Sequence, residues 1–315
     1  DLARDCAAAR LPPRRDVVLL TGDALTYDQA WPLASTMGAE TVAALPEAAA
    51  WLTRRLAPAS ASPPRAPMVA VTGARGGIGA SVLAAGTALT AADAGRRVLL
   101  IDGDSGGGGL DVVLGWEHRE GLRWHDVAVM EGPFDPERLR VALPNERGLG
   151  VLSFDRDHTV AAAAETAAAV ADAGRRGHDL VVVDLPRCGE SWLRGGLGQV
   201  ELLIVVVPAE VRAVAAARRL VADLSEQCDR VRLVVRGPSP VKLRTAEIAE
   251  VVGRPLAAEL SADARLRAAV ETSGLDARAC KGGLAAAART ILSFLDTRAS
   301  APNAGPAPAL AGSAR

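Results

Sequence analysis

Residues Thr72-Gly73-Ala74-Arg75-Gly76-Gly77-Ile78-Gly79-Ala80-Ser81 form a glycine-rich turn with the outline of a phosphate-binding loop, and Ala80 stands where that loop carries its lysine. An apolar run, Met68 to Val71, precedes the turn, and an Ala/Leu-rich helical pattern follows from Ser81 to Ala94. Strand, glycine turn and helix is the context such a loop requires, because main-chain N–H groups and the helix N-terminus then converge on phosphate oxygens. In the usual loop a lysine adds a point charge on the β- and γ-phosphates and a Ser or Thr hydroxyl binds Mg²⁺. Ser81 supplies the hydroxyl. The only lysines of the chain are Lys242 and Lys281, so Arg75 is expected to be the loop's single cationic side chain.

Composition narrows the classes. The 315 residues allow one large or two ordinary domains, and 49% hydrophobic content is ample for a core. A net charge of −1 gives no electrostatic case for nucleic acid. Cys6, Cys188, Cys228 and Cys280 lie far apart, without metal-ligand or disulfide-framework spacing, and read as reduced structural thiols. No apolar run reaches the length of a membrane span and the start lacks a signal-peptide layout. A cytoplasmic protein is expected, meeting a membrane surface through a partner.

Working outward, Pro58 to Pro67 is rich in Pro, Ala and Ser and reads as a linker. The expected division is residues 1–57, linker 58–66, main domain 67–296 and a disordered tail 297–315. Before the linker, Asp16 to Thr21 and Thr41 to Leu45 read as strands, and Tyr27 to Met37 and Pro46 to Leu56 as helices. This β-α-β-α module is too small for a stable open sheet alone, and the absent initiator methionine is read as truncation. After the linker, strands are expected at Val98 to Ile101, Gly150 to Phe154, Leu180 to Val183, Leu202 to Val207 and Val231 to Val235. Helices are expected at Thr159 to Ala173, Glu210 to Leu224, Thr245 to Val252, Asp263 to Thr272 and Leu284 to Leu295. Near-continuous Val/Ile/Leu runs predict strands buried on both faces, hence a mostly parallel, doubly wound α/β sheet with helices on both sides.

Two of these strands end in carboxylates: Val98 to Ile101 runs into Asp102-Gly103-Asp104, and Leu180 to Val183 into Asp184. The carboxyl edge of an open α/β sheet is where ligands bind. Two readings compete for the glycine loop. Thr72-Gly73-x-x-x-Gly77-Ile78-Gly79 also matches the cofactor motif of short-chain dehydrogenases, whose chemistry needs a downstream Tyr-x-x-x-Lys pair. The single tyrosine, Tyr27, lies upstream, so only a noncatalytic NAD(P)-binding module survives on that side. The other reading is a nucleotide-dependent switch.

Here the residues resemble a family. Arg75 to Ser81 is similar to the deviant Walker A loop of the MinD/ParA ATPases, Val98 to Asp104 to their Walker A′ segment and Leu180 to Pro186 to their Walker B, in the right order over roughly residues 66 to 296. The Asp102 to Asp111 stretch and Gly121-Leu122-Arg123-Trp124 look most like the actinobacterial CpaE-like branch, which includes septum site-determining proteins (Ssd) and neighbours of Tad/Flp pilus secretion genes. In that branch the N-terminal region resembles a degenerate, flavodoxin-like response-regulator receiver. Residue by residue, the resemblance gives Gly76, Gly77, Ile78 and Gly79 the phosphate cradle, Ser81 the Mg²⁺ hydroxyl and Asp184 the metal through water. Asp102 and Asp104 match the Walker A′ acids, the second positioning attacking water. Arg75 takes the signature-lysine position that reaches across a homodimer. Arg236 falls where relatives often carry an adenine-contacting asparagine.

A charge-assisted contact contributes roughly 1.5–3 kcal/mol. ATP is therefore expected to bind weakly through main-chain donors and Mg²⁺, while hydrolysis, which needs the lysine more, is slow or absent. The implied role is spatial regulation of cell division or of pilus and secretion machinery. A nucleotide-free scaffold is the alternative. Gly106 to Gly109 is expected to be a mobile, switch-like segment and Cys280-Lys281-Gly282-Gly283 a plain turn. His118, His125, His158 and His178 are scattered in sequence and receive no metal or catalytic role. Trp116, Trp124 and Trp192 are assigned to the core or an interface.

Overall fold

In the N-terminal part of the chain, two short apolar segments pair in parallel. Strand β1 (Val18–Thr21) lies beside β2 (Thr41–Ala44), with Val18 opposite Thr41, and helix α1 (Tyr27–Thr36) connects them. Leu19, Ala30, Ala34 and Val42 form its small core. A computed structural model of the chain describes residues 18–21, 27–36, 39, 41–45, 48, 65–130, 134–158, 163–187 and 197–299. Apart from Ala48, the expected helix over 46–56 lies outside the described residues, as do Trp192, Cys6 and Cys188. The chain divides into two units, Asp1–Pro63 and Pro64–Arg315.

The second unit is built on eight strands. In chain order these are β3 (Met68–Gly73), β4 (Val98–Asp102), β5 (Asn145–Glu146), β6 (Leu149–Leu152), β7 (Leu180–Asp184), β8 (Leu202–Pro208), β9 (Val231–Arg236) and β10 (Leu256–Leu260). Their spatial order is β10-β9-β8-β3-β7-β4-β6-β5, and all pair in parallel except β5 with β6. Every residue of β3, β4, β7 and β8 is buried. Alternate side chains serve two cores, Met68, Ala70, Val181, Val183, Leu203 and Val205 on one face and Val69, Val71, Leu180, Val182, Leu202 and Ile204 on the other. This double burial is why the strands read as continuous apolar runs.

Helices cover both faces. They are α2 (Ala80–Asp93), α3 (Leu110–Leu114), α4 (Trp124–Ala128), α5 (Pro136–Ala142), α6 (Ala164–Gly177), α7 (Val211–Ser225), α8 (Thr245–Val252), α9 (Ala264–Thr272) and α10 (Gly282–Ala299). Leu83 and Ala88 of α2 pack with Leu284 and Ile291 of α10 on one face, while Val170 of α6 and Val221 of α7 cover the other. Helix α2 is alanine-rich with one glycine and no proline, a composition of high helix propensity. Its N-cap, Gly79, is left-handed and offers no side-chain cap.

Several expectations need correction. Strand β10 and the two-residue β5 escaped notice because they are sheet-edge segments whose residues are only partly buried or exposed, so neither makes an apolar run. Helices α3, α4 and α5 span five, five and seven residues, too short for a helical period to register. Helix α6 begins at Ala164 and runs to Gly177, four residues beyond the expected end. Helix α10 continues through Ala299, into the segment expected to be disordered, and residues from 300 lie outside the described set. Ala66, expected in the linker, is buried: its N–H donates to the Arg175 carbonyl at 2.8 Å and its carbonyl accepts from Arg175 Nε at 2.7 Å.

Strand order also decides between the two loop readings. In a dinucleotide-binding sheet the loop strand pairs with the next strand of its βαβ unit. Here β3 pairs with β7 and β8, and β7 separates it from β4. The dehydrogenase-like module is thereby excluded.

Candidate functional site

The glycine loop leaves the middle of the sheet. Ala74 N–H donates to the Val206 carbonyl at 2.9 Å, tying the loop's start to β8, and the buried Ile78 side chain anchors its far end. Gly77 and Gly79 have φ of 72° and 87°, the left-handed region that glycine enters at little cost. A Cβ added at Gly76 or Gly77 would meet nothing within 4 Å, so the loop faces open space. That space is a cleft of about 520 Å³ bordered by residues 75–82 together with Asp104, Asp184 and Pro186. Ala80 and Ser81, both half-buried, open helix α2 on its wall.

The carboxylates meet this wall because β4 and β7 are register-matched neighbours. Asp102 lies opposite Asp184 in the ladder, and Gly103 N–H donates to the Asp184 carbonyl at 2.8 Å. Burial pushes the Asp184 carboxyl up to about 8; the Ser81 hydroxyl, which donates to it, opposes the rise, and the charges of Asp102 and Asp104 add to it. Burial also pushes Asp102 up to about 6, against N–H donors from Leu110 at 2.9 Å and Asp104 at 3.1 Å and the Ser153 hydroxyl at 2.9 Å. Trp124 Nε1 donates to the Asp102 carbonyl at 2.7 Å, and its fully buried ring stacks on Phe154. Trp124 and the buried Trp116 thus occupy the core, as expected. Asp104 accepts from Gly106 N–H at 3.2 Å, at the start of an exposed glycine run.

Ser81, Asp102, Asp104 and Asp184 also border an adjoining hollow of about 230 Å³. Three carboxylates bordering one hollow repel one another unless a proton or a cation joins them. That donor set fits a hard divalent cation such as Mg²⁺. The glycine cradle beside it fits phosphate.

Three arginines, Arg75, Arg187 and Arg236, border the loop and its cleft, where the sequence suggested one cation. Arg75 pairs with Glu210, 2.9 Å away within the same chain. Arg236, at the end of β9, hydrogen-bonds the Ile78 carbonyl through Nη1. No loop-local signal could have found this contact, which joins residues 158 positions apart. Sequence reading also missed Asp111, which is buried and holds the Arg156 guanidinium at 2.9 and 3.2 Å.

Two of the histidines, scattered in sequence, come together in the structure. His125 of α4 and His158 meet on Asp155: His158 Nδ1 lies 2.8 Å from Oδ1, His125 Nδ1 contacts Oδ2, and the rings stack with centroids 4.0 Å apart. Burial raises the Asp155 carboxyl, but hydrogen bonds from His158, His125 and the main chain outweigh it and hold the group well below the usual carboxylate range. His178 is buried against the Gly174 carbonyl at 3.0 Å, and His118 is exposed.

A mostly parallel sheet with a glycine loop on a central strand and register-paired aspartates on the next two strands to one side is the fold of a P-loop NTPase domain of the MinD/ParA type. Residues 1–67 match the family described as Rv3660c-like, CheY-like N-terminal domain, which places a receiver-like module before it. The Mycobacterium tuberculosis (strain H37Rv) protein Rv3660c is 42% identical over 295 residues, covering 92% of this chain and 82% of that protein. Among solved structures, the septum site-determining protein MinD complexed with Mg-ADP from Pyrococcus horikoshii superposes with a TM-score of 0.63 at 19% identity, over 75% of this chain and 98% of that one. A ParA family ATPase from Chlorobium tepidum gives 0.61 at 18% identity, over 74% and 98%. The chain belongs to the Rv3660c-like family, within the MinD/ParA-type P-loop NTPase superfamily. Among the described residues, no helix is long and apolar enough to cross a membrane.

Proposed function

We propose that the protein is a nucleotide-responsive positioning factor that binds ATP·Mg²⁺ weakly and turns it over slowly or not at all. The observation that carries this reading is the Ser81 hydroxyl donating to Asp184 beside the open glycine loop, with Asp102 and Asp104 adjoining. Gly76, Gly77 and Gly79 would hold phosphate through main-chain N–H groups, Ser81 and Asp184 would hold Mg²⁺, and Asp104 would orient water. When bound, the cation would neutralise the carboxylates and screen the phosphate charge. Ala80 contributes no charge, which is why slow turnover is proposed.

The process is spatial regulation of septum placement or, as in the CpaE-like branch, localisation of pilus and secretion machinery, with the protein in the cytoplasm as a homodimer. The P. horikoshii relative is described as septum site-determining, which supports the division role. Isothermal titration of the full chain with ATP·Mg²⁺ tests the reading. Binding with a Kd in the range of roughly 10 µM to 1 mM is expected, about one to two decades weaker than a loop with its lysine. Silence at millimolar ligand would leave a nucleotide-free scaffold. A fluorescent fusion concentrated at septa or poles, and dispersed by Ser81→Ala, separates a switch from that scaffold.

A further inference from the structure

Away from the nucleotide cleft, one cluster satisfies the chemistry of a transition-metal site. His125, Asp155 and His158 each present a ligand atom, and these atoms all lie within 4.8 Å of one another. We propose that His125 Nδ1, His158 Nδ1 and the Asp155 carboxylate bind a divalent transition-metal ion of zinc-like preference, with water completing the coordination.

The carboxylates around His125 are the strongest argument. Both of its ring nitrogens face carboxylates, Nδ1 toward Asp155 and Nε2 toward Asp126 Oδ1 at 3.1 Å. A neutral imidazole has one N–H, so one of these contacts sets a lone pair against a carboxylate oxygen. A metal on Nδ1 satisfies that nitrogen and leaves the proton on Nε2, the nitrogen that lies 3.1 Å from Asp126 Oδ1. With the ring turned to align that N–H, the contact becomes the carboxylate–histidine–metal arrangement that fixes the tautomer of metal-bound histidines. Asp126 is itself held, its Oδ2 accepting from Arg123 N–H at 2.8 Å.

The spacing agrees. Ligand atoms about 2.0–2.1 Å from a tetrahedral zinc ion lie roughly 3.3 Å apart. His158 Nδ1 and Asp155 Oδ1 are 2.8 Å apart in a direct hydrogen bond, so the ion enters by displacing the proton between them as the two atoms spread by about half an ångström and turn toward it. Asp155 is already oriented by N–H groups of Asp157 and His158 at 2.9 and 2.8 Å. Two imidazoles and a carboxylate with an open position suit Zn²⁺ or Co²⁺ rather than Mg²⁺ or Ca²⁺, which prefer all-oxygen sets. Side-chain exposures of 28% for His125 and 54% for His158 leave an entry path.

The ion fastens α4 to the turn after β6. That turn carries Ser153, which donates to Asp102, and Arg156, which holds Asp111. The site therefore lies one turn from the nucleotide carboxylates without sharing a ligand with them.

The test is zinc titration of the tag-free full chain by calorimetry, with Co²⁺ absorption in the visible as the coordination readout. One ion per chain is expected, with cobalt bands of a low-symmetry nitrogen/oxygen site and no thiolate charge-transfer band. His158→Ala, on an exposed side chain, should weaken binding about 100-fold, and Asp126→Asn, which removes only the outer carboxylate, about 10-fold. Unchanged zinc affinity in the His125→Asn/His158→Ala double variant, folded by circular dichroism, would overturn the site. So would absence of zinc binding to the wild-type chain at 100 µM ion.

Discussion

Arg236 reaches from the end of β9 to hydrogen-bond the main-chain carbonyl of Ile78, so a guanidinium borders a phosphate-type loop that has no lysine of its own. A Cβ built on Gly79 would collide with Arg236 Nη1, which shows how closely the arginine is set against the turn. A hydrogen bond to a charged group contributes about 1.5–3 kcal/mol. Arg236→Ala should therefore lower Tm by roughly 5 °C for a domain of this size. ATP·Mg²⁺ affinity should fall about tenfold, since a guanidinium held against the loop is lost. Thermal melts and titration calorimetry check both, and unchanged values in the two assays would reduce the contact to a surface coincidence.

Ala80 is half-buried, lies at the first position of α2 and lines the cleft, so a longer side chain there has space to enter. Ala80→Lys places an ammonium where the loop's charge is missing. Affinity for ATP·Mg²⁺ should rise about 10- to 100-fold, equivalent to the 1.5–3 kcal/mol of a charge-assisted contact. Hydrolysis should rise by more, because the lysine also meets charge that develops in the transition state. If affinity does not change, Ala80 does not occupy the lysine position.

How far this site was legible depended on where its information lies in the chain. The glycine loop, Asp102 and Asp184 could be read because each is local: a turn between an apolar run and a helix, and acids that end runs buried on both faces. Strand β10 could not, since Leu256-Ala257-Ala258-Glu259-Leu260 is a partly buried edge whose pairing with β9 is set by the fold. Arg236 looked like a lost adenine contact, and its approach to Ile78 depends on β9 lying two strands from β3. His125 and His158 are 33 positions apart, and only α4 and the turn after β6 bring them together on Asp155. Local chemistry was visible in sequence; contacts made by strand order were not.

Arg75 and Glu210 form an ion pair between half-exposed side chains, an arrangement that contributes little to stability. Glu210→Ala should change Tm by less than about 2 °C. If Arg75 acts across a dimer, freeing it should tighten ATP-dependent self-association several-fold, whereas Arg75→Ala should abolish that association. Sedimentation velocity with and without ATP·Mg²⁺ reads both. Equal self-association in the two variants would remove Arg75 from the interface.

The buried Asp184 carboxyl sets the pH dependence of the apo protein. Its pKa rises from the ordinary 3.8 to about 8 in the fold, so between those values the native state binds the extra proton. Stability linked to this group is therefore fully present below pH 4 and is lost as pH rises through 8, with a slope approaching about 1.4 kcal/mol per unit. Asp184→Asn keeps the shape and removes the titration. Wild type and variant should melt together near pH 4.5, and at pH 8 the variant should melt higher by several degrees. Asp102, pushed up to about 6 by its own burial, titrates in both proteins and drops out of the difference to first order. Adding 10 mM Mg²⁺ at pH 8 should raise the wild-type Tm and leave the variant unmoved, because the cation takes the place of the proton among Asp184, Asp102 and Asp104. Parallel melting curves across the whole pH range would mean that Asp184 is ionised and satisfied without either.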